Sequence, residues 1–241
     1  MAGSLKTDAV IVRSIRYAEA DRILHAYTPA MGRISAIAKG VRRPRSRFGG
    51  RLEPFTRVGL VLHQGRSDLM TVTGASTLDA HPRIRTDGRA LEAAAHAAQA
   101  VSRLLDSAEP NAAAYHLLAR YLQLLDDPAL QQRTAAVSGR IAFRLKLALA
   151  TGFGPELASC ASCGEADHLT GFSGAAGGVV CSACEAAAFP LSAEAHRLLV
   201  DALAAPLAEV PEASQSAERQ ADRAVREVLE HHANVRIRSA A

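Results

Sequence analysis

The sequence predicts an α+β protein: a small β-barrel at the N-terminus, then an all-helical domain with an inserted four-cysteine segment. Three observations predict it. Apolar and polar residues alternate at period two in five short runs before residue 80. The period turns helical after Pro82. Cys160, Cys163, Cys181 and Cys184, the only cysteines in 241 residues, form two C-x2-C pairs with seventeen residues between them. The expected domains are 1–80, a barrel with a basic loop, and 81–241, helical but interrupted at 156–190. At 49% hydrophobic, the chain has material for a core.

The barrel expectation rests on runs around Ala9–Ile15, Ile23–Tyr27, Arg33–Lys39, Val58–Leu62 and Met70–Thr73, bounded by Pro29, Gly32, Gly40, Gly65 and Gly74. Five strands in so short a span suggest closure, because a closed sheet has no exposed edges. The pattern alone does not separate an oligonucleotide-binding (OB) barrel from an SH3-like one.

Asp87 is placed to cap a helix with Leu91, Ala94, Ala95, Ala98, Val101, Leu104 and Leu105 on one face. Asn111 opens a second helix, and Asp127–Pro128 signals a third start. From Thr134 to Ala150 apolar residues occupy two faces, which predicts a central helix ended by Gly152 and Pro155. Helical period returns at Ser192 and again after Ser216, and residues 236–241 read as a frayed tail.

A C-x2-C turn presents two sulfurs to one ion, and two such turns complete a tetrahedral four-sulfur zinc site. Gly164 suits the left-handed backbone such a turn needs. The expected cofactor is one structural Zn2+ per chain, held by Cys160, Cys163, Cys181 and Cys184. Four thiolates leave no open position for a catalytic water. His168, between the pairs, reads as a surface histidine.

The net charge of +4 hides an asymmetry. Residues 1–90 hold 16 basic and 7 acidic side chains; residues 91–241 hold 12 and 17. The densest stretch carries Arg33, Lys39, Arg42, Arg43, Arg45, Arg47 and Arg51 without one carboxylate. Arginine forks onto phosphate oxygens with paired hydrogen bonds, so these seven are candidate DNA-binding residues. A smaller acid-free group, Arg140, Arg144 and Lys146, is a candidate docking site for an acidic peptide.

Motifs for nucleotide hydrolysis, zinc proteolysis and serine hydrolysis are missing, so no enzyme activity is expected. Asp126–Asp127 and His231–His232 read as a helix cap and a helix end. No apolar run reaches the length of a membrane span and the N-terminus lacks a signal-peptide pattern, so the expected location is cytoplasmic, at the nucleoid when DNA is bound.

Several pieces, in order, resemble one known family. Glu19-Ala-Asp21-Arg22, Tyr27-Thr28-Pro29, Gly32-Arg33 and Ala38-Lys39-Gly40 are followed by Arg42-Arg43-Pro44-Arg45-Ser46-Arg47-Phe48 and Leu52-Glu53-Pro54-Phe55. Further on come Phe143, Leu145, Leu147, Gly152, Pro155, Cys160-x2-Cys163-Gly164 and Gly171-Phe172-Ser173. Over about residues 5–190 the chain is similar to bacterial RecO recombination mediators. The resemblance implies an OB barrel, a helical bundle and an inserted zinc segment. It implies binding of single- and double-stranded DNA, strand annealing, and help in loading RecA onto strands coated by single-strand-binding protein. RecR and the acidic C-terminal tail of single-strand-binding protein are the implied protein partners. With four tyrosines, six phenylalanines and no tryptophan, charge rather than base stacking is expected to dominate DNA binding. The alternative is a zinc-containing docking adaptor that binds an acidic tail, with DNA incidental.

Overall fold

A computed structural model of the chain describes residues 4–65, 67, 69–106, 108–184, 188–236 and 239–240. By packing, the chain divides into two compact units, Met1–Asp126 and Asp127–Ala241.

The first unit opens with five strands: β1 (Ser4–Tyr17), β2 (Asp21–Thr28), β3 (Gly32–Ala38), β4 (Arg57–His63) and β5 (Met70–Asp79). They close in the order β1-β2-β3-β5-β4, with β4 returning to β1. All pairings are antiparallel except β3 with β5. This is the OB arrangement, so the topology decides what the alternation left open. The first half of β1 pairs with β4 and the second half with β2, and the register shifts between Ile11 and Arg13. Such a bulge bends a long strand so that one segment serves two sides of a barrel. The inward set includes Ile11, Leu24, Ile34, Leu60 and Val72, all buried.

Two helices follow, α1 (Gly88–Leu104) and α2 (Ala112–Asp126). Asp87 accepts the amide of Ala90 (2.8 Å) and Asn111 that of Ala114 (2.9 Å), the two expected caps. Leu91 and Ala95, expected to be buried, are exposed; the buried face runs through Ala90, Ala94, Ala97 and Val101. An alanine-rich helix offers almost any face, and close approach selects the one lined by small side chains. The switch in periodicity falls near residue 80, but in space α1 and α2 stay with the barrel. One reason is Arg57 of β4. It meets Asp79 of β5 (2.9 Å) and Asp8 of β1 (3.3 Å), and its Nε donates to the Tyr115 hydroxyl of α2 (3.2 Å).

The second unit contains α3 (Gln131–Ala135), α4 (Val137–Ala150), β6 (Leu169–Ser173), β7 (Gly178–Cys181), β8 (Phe189–Pro190), α5 (Ala193–Ala204) and α6 (Gln215–His232). The expected Thr134–Ala150 stretch is broken at Ala136, whose ψ is 164°. Gly139 makes this corner possible: a Cβ there would lie 2.4 Å from the Thr134 carbonyl oxygen. Beyond the break α4 is the central helix expected, packed by α5 and α6. It ends at Gly152 (φ 83°), with the Phe153 amide returning to the Ala148 carbonyl (2.8 Å).

The tail is not frayed where it is described. Ser239 donates to Asp222 Oδ2 (2.6 Å) and the Ala240 amide to Oδ1 (2.9 Å). Residues 237, 238 and 241 of that expectation lie outside the described residues. Among the described residues no helix is long and apolar enough to cross a membrane.

Candidate functional site

The basic segment leaves the barrel at the end of β3 and returns through a short 3-10 turn, Gly49–Leu52. It is a chain of turns and not a loose loop. The Gly40 amide donates to the Asp21 carboxylate (2.7 Å), Arg42 N to Ala20 O (2.9 Å), and Ser46 N to Arg43 O (2.9 Å). Phe48 and Leu52, each 2% exposed, drop into the barrel core and pin the far end. Two apolar anchors therefore hold a run of cations against the barrel.

Lys39, Arg42, Arg43, Arg45, Arg47 and Arg51 are exposed; Arg33, on β3 itself, is half-buried. Among the described residues none of the seven pairs with a carboxylate. The contacts they do make aim them. Arg42 donates to Glu19 O (3.2 Å), Arg51 to Arg47 O (2.9 Å), and the Arg47 guanidinium lies 4.9 Å from the Phe48 ring centroid. Arginines that hydrogen-bond only to carbonyls keep their full charge and have N–H groups to spare for an anion. A small barrel thus presents a pre-formed cationic ridge, the chemistry that neutralises a phosphate backbone.

Barrel residues outside the sequence-based set join this surface. Arg13 of β1 stands opposite His25 of β2, and His25 opposite Ser35 of β3. His25 Nδ1 is 3.0 Å from Ser35 Oγ. Partial burial, then the charges of Arg33 and Arg13, lower the pKa of His25 from 6.5. Cross-strand register brings these residues together, and no single strand reveals it.

The four cysteines converge. Their sulfurs all lie within 4.8 Å of one another, and Cys163 Sγ is 3.7 Å from Cys181 Sγ. A tetrahedron with Zn–S arms of about 2.3 Å has an edge of about 3.8 Å, so the donor set fits that ion. Gly164 adopts φ 81° as expected, and its amide returns to Cys160 O (2.8 Å). The amides of Cys181, Cys163 and Ser162 lower the Cys160 thiol to about 6, whereas the neighbouring sulfurs, Cys163 first, push Cys184 to about 12. One sulfur is thus readied as a thiolate while Cys163 and Cys184 are held as thiols by the sulfurs around them, a competition that a bound cation removes. Strands β7-β6-β8 back the cluster, and Cys160 and Cys181 are buried against Val180. His168 is exposed and outside the ligand group.

The Arg140, Arg144 and Lys146 group needs correction as one docking face. Arg144 is 2% exposed and bound to Asp222 of α6 (2.8 Å). Lys146 Nζ donates to the Leu203 carbonyl at the end of α5 (2.6 Å), and burial lowers its pKa. Four-residue spacing did place Arg140 and Arg144 on one side of α4. That side faces inward because α4 is surrounded. Asp126 accepts the Arg83 amide (2.7 Å) at the start of a short 3-10 turn, whereas Asp127 accepts the Ala129 amide (2.9 Å) inside a turn and caps no helix: the expected start at Asp127–Pro128 is displaced to Gln131, where α3 begins.

Comparison with known proteins decides the family. A model described as recombination protein O N terminal matches residues 1–81, and one described as recombination protein O C terminal matches residues 85–241. The chain belongs to the RecO family. Relatives named DNA repair protein RecO include that of Rubrobacter xylanophilus, 37% identical over 94% of this chain and 90% of the relative. The RecO protein of Geobacter sulfurreducens is 37% identical over 81% of this chain and 79% of its own length. That of an Anaeromyxobacter species is 33% identical over 98% and 94%. The RecO family models meet at the end of the barrel, whereas compactness divides the chain after α2.

Proposed function

We propose that this RecO chain is a non-enzymatic DNA-binding mediator of recombinational repair. It binds single- and double-stranded DNA through phosphate contacts and anneals complementary strands. With RecR, it helps RecA load onto single strands coated by single-strand-binding protein. The observation that carries this reading is the exposed, carboxylate-free arginine segment pinned to an OB barrel by Phe48 and Leu52. Such a surface attracts any polyanion of suitable spacing and reads no sequence, which suits a protein that must accept both duplex and single strands.

In this reading Cys160, Cys163, Cys181 and Cys184 hold one structural Zn2+. The ion ties residues 156–190 together where the local sequence supplies too few apolar side chains for a core. A tail of single-strand-binding protein docking on the helical unit must use cations other than Arg144, whose charge is matched internally. The site of action is the cytoplasm, at the nucleoid when DNA is bound.

The test is annealing of complementary strands coated with single-strand-binding protein, with and without the chain. Faster annealing is the expected result. A rate unchanged by the chain contradicts the mediator role, and cleavage of labelled DNA in Mg2+ or Mn2+ contradicts the non-enzymatic one.

A further inference from the structure

The four sulfurs of the cluster are not equally sheltered. Cys160 and Cys181 are buried, Cys184 is half-buried, and Cys163 is exposed. Cys163 belongs to a stretch, residues 162–168, that is exposed throughout. Its Sγ nevertheless lies 3.7 Å from Sγ of the buried Cys181. One ligand of the cluster thus faces solvent and touches a second that is sheltered from it. Oxidants act on accessible thiolates, whereas buried cysteines are inert. An accessible cysteine in contact with a second sulfur is the arrangement that oxidation turns into a disulfide.

The cluster is also what fastens its segment. Its core holds Val180 with Cys160 and Cys181, and only Leu169, Ala176, Cys184 and Ala188 pack partly against them. On its other side the segment is seated on α5 and α6. His196 of α5 donates to the Leu157 carbonyl (2.8 Å) and His232 of α6 to the Gly174 carbonyl (2.9 Å). The Arg223 guanidinium of α6 lies 4.1 Å from the Phe189 ring centroid. Gly174 comes so close to α6 that a Cβ there would be 2.7 Å from Glu227 Cβ. A change at the cluster is therefore placed to loosen contacts on two helices of the C-terminal unit.

We propose that Cys163 is an oxidant-reactive modification site, and that Cys181 resolves it to a disulfide that opens the zinc segment. The inference rests on the zinc reading above and adds a reaction to it. The co-reactant is a hydroperoxide, with hydrogen peroxide as the simplest member. The Cys163 thiolate attacks the O–O bond, gains one oxygen as a sulfenic acid and gives up two electrons, and the other oxygen leaves as water after taking a proton. The Cys181 thiolate then attacks the Cys163 sulfur from inside the cluster. An S–S bond forms, the S–O bond breaks, and the hydroxide leaves as a second water. Two thiolates, two protons and one hydrogen peroxide give one disulfide and two waters. The two cysteines left over are too few to hold the ion, so oxidation and metal release are one event. A dithiol reductant and free Zn2+ reverse it.

The test uses the full, zinc-loaded chain titrated with hydrogen peroxide. A coloured chelator reads released zinc, and non-reducing peptide mapping reads the bond formed. Dimedone, which captures sulfenic acids, should mark Cys163 first, and the disulfide should join Cys163 to Cys181. Amide exchange over 156–190 should rise with zinc release and recover with dithiothreitol and Zn2+, while Ser4–Asp79 stays protected. Cys163→His keeps a nitrogen ligand in place of the oxidisable sulfur and should slow zinc release about tenfold. Cys184→His, which retains the reacting pair, should release zinc at the wild-type rate. Zinc retained under excess peroxide overturns the proposal. So does release from Cys163→His at the wild-type rate, or a first dimedone mark on any other cysteine. If Cys163→His binds no zinc, the dimedone mark and the mapped bond in the wild type decide. A wild type that carries no zinc before peroxide is added instead contradicts the metal reading, and the switch falls with it.

Discussion

Arg144 Nη1 and Asp222 Oδ1 lie 2.8 Å apart inside the C-terminal unit, each side chain only 2% exposed. Asp222 is also the anchor for Arg226 Nε (3.1 Å), the Ser239 hydroxyl and the Ala240 amide. One carboxylate therefore ties α4, α6 and the C-terminal tail together. Four donors satisfy it, which offsets the cost of taking the charge out of water.

Removing either partner strands the other as a buried charge. Arg144→Met or Asp222→Leu should lower the stability of the C-terminal unit by about 3–5 kcal/mol. Replacing both should recover much of that loss. Urea unfolding followed by circular dichroism reads the change. A single variant that unfolds at the wild-type midpoint would show that the pair contributes little.

The cysteine cluster should be separable from the barrel. Purified chain should contain close to one zinc. Cys160→Ser or Cys184→Ser should raise amide exchange across residues 156–190 and leave Ser4–Asp79 protected. The reason is local: the cluster's buried neighbours, such as Val180, belong to the cysteine segment itself. A protein without zinc that shows full protection over 156–190 would rule out the metal as its fastener.

His25 predicts a pH dependence for the barrel. Its folded pKa lies below the unfolded value of 6.5, so between the two the unfolded chain binds more protons. The stabilising contribution of a neutral His25 is complete above pH 6.5. It declines as the pH falls through 6.5 toward the lowered value and levels off below it. Denaturation between pH 5 and 8 should show the N-terminal unit losing stability on the acid side, and His25→Asn should flatten that slope. A slope unchanged by the substitution would assign the titration to another group.

The barrel is readable in the sequence because its strands alternate cleanly between turns, and the four-cysteine cluster because its spacing is itself the chemistry. Closure order is not readable: the alternation of Ile34, Ala36 and Ala38 is the same whichever strand lies beside β3. The make-up of the barrel's outer face escapes for the same reason, since Ile15, Ile23 and Ile37 look like ordinary strand residues until register sets them side by side. Arg144 shows the converse. An acid-free run on a helix suggests an open cationic face, and only packing reveals that its partner is Asp222 on α6, 78 positions away.

In the proposed function the arginine segment binds DNA by its charge. This is tested most directly by titrating single- and double-stranded DNA over a range of salt with the wild type and with an Arg42→Ala, Arg43→Ala, Arg45→Ala, Arg47→Ala variant. If about five phosphates are neutralised, log K on duplex should fall against log salt with a slope of roughly −4 to −5, and the variant should lose affinity for both forms and most of that slope. A flat wild-type slope, or a variant that binds both forms as the wild type does, would contradict the account.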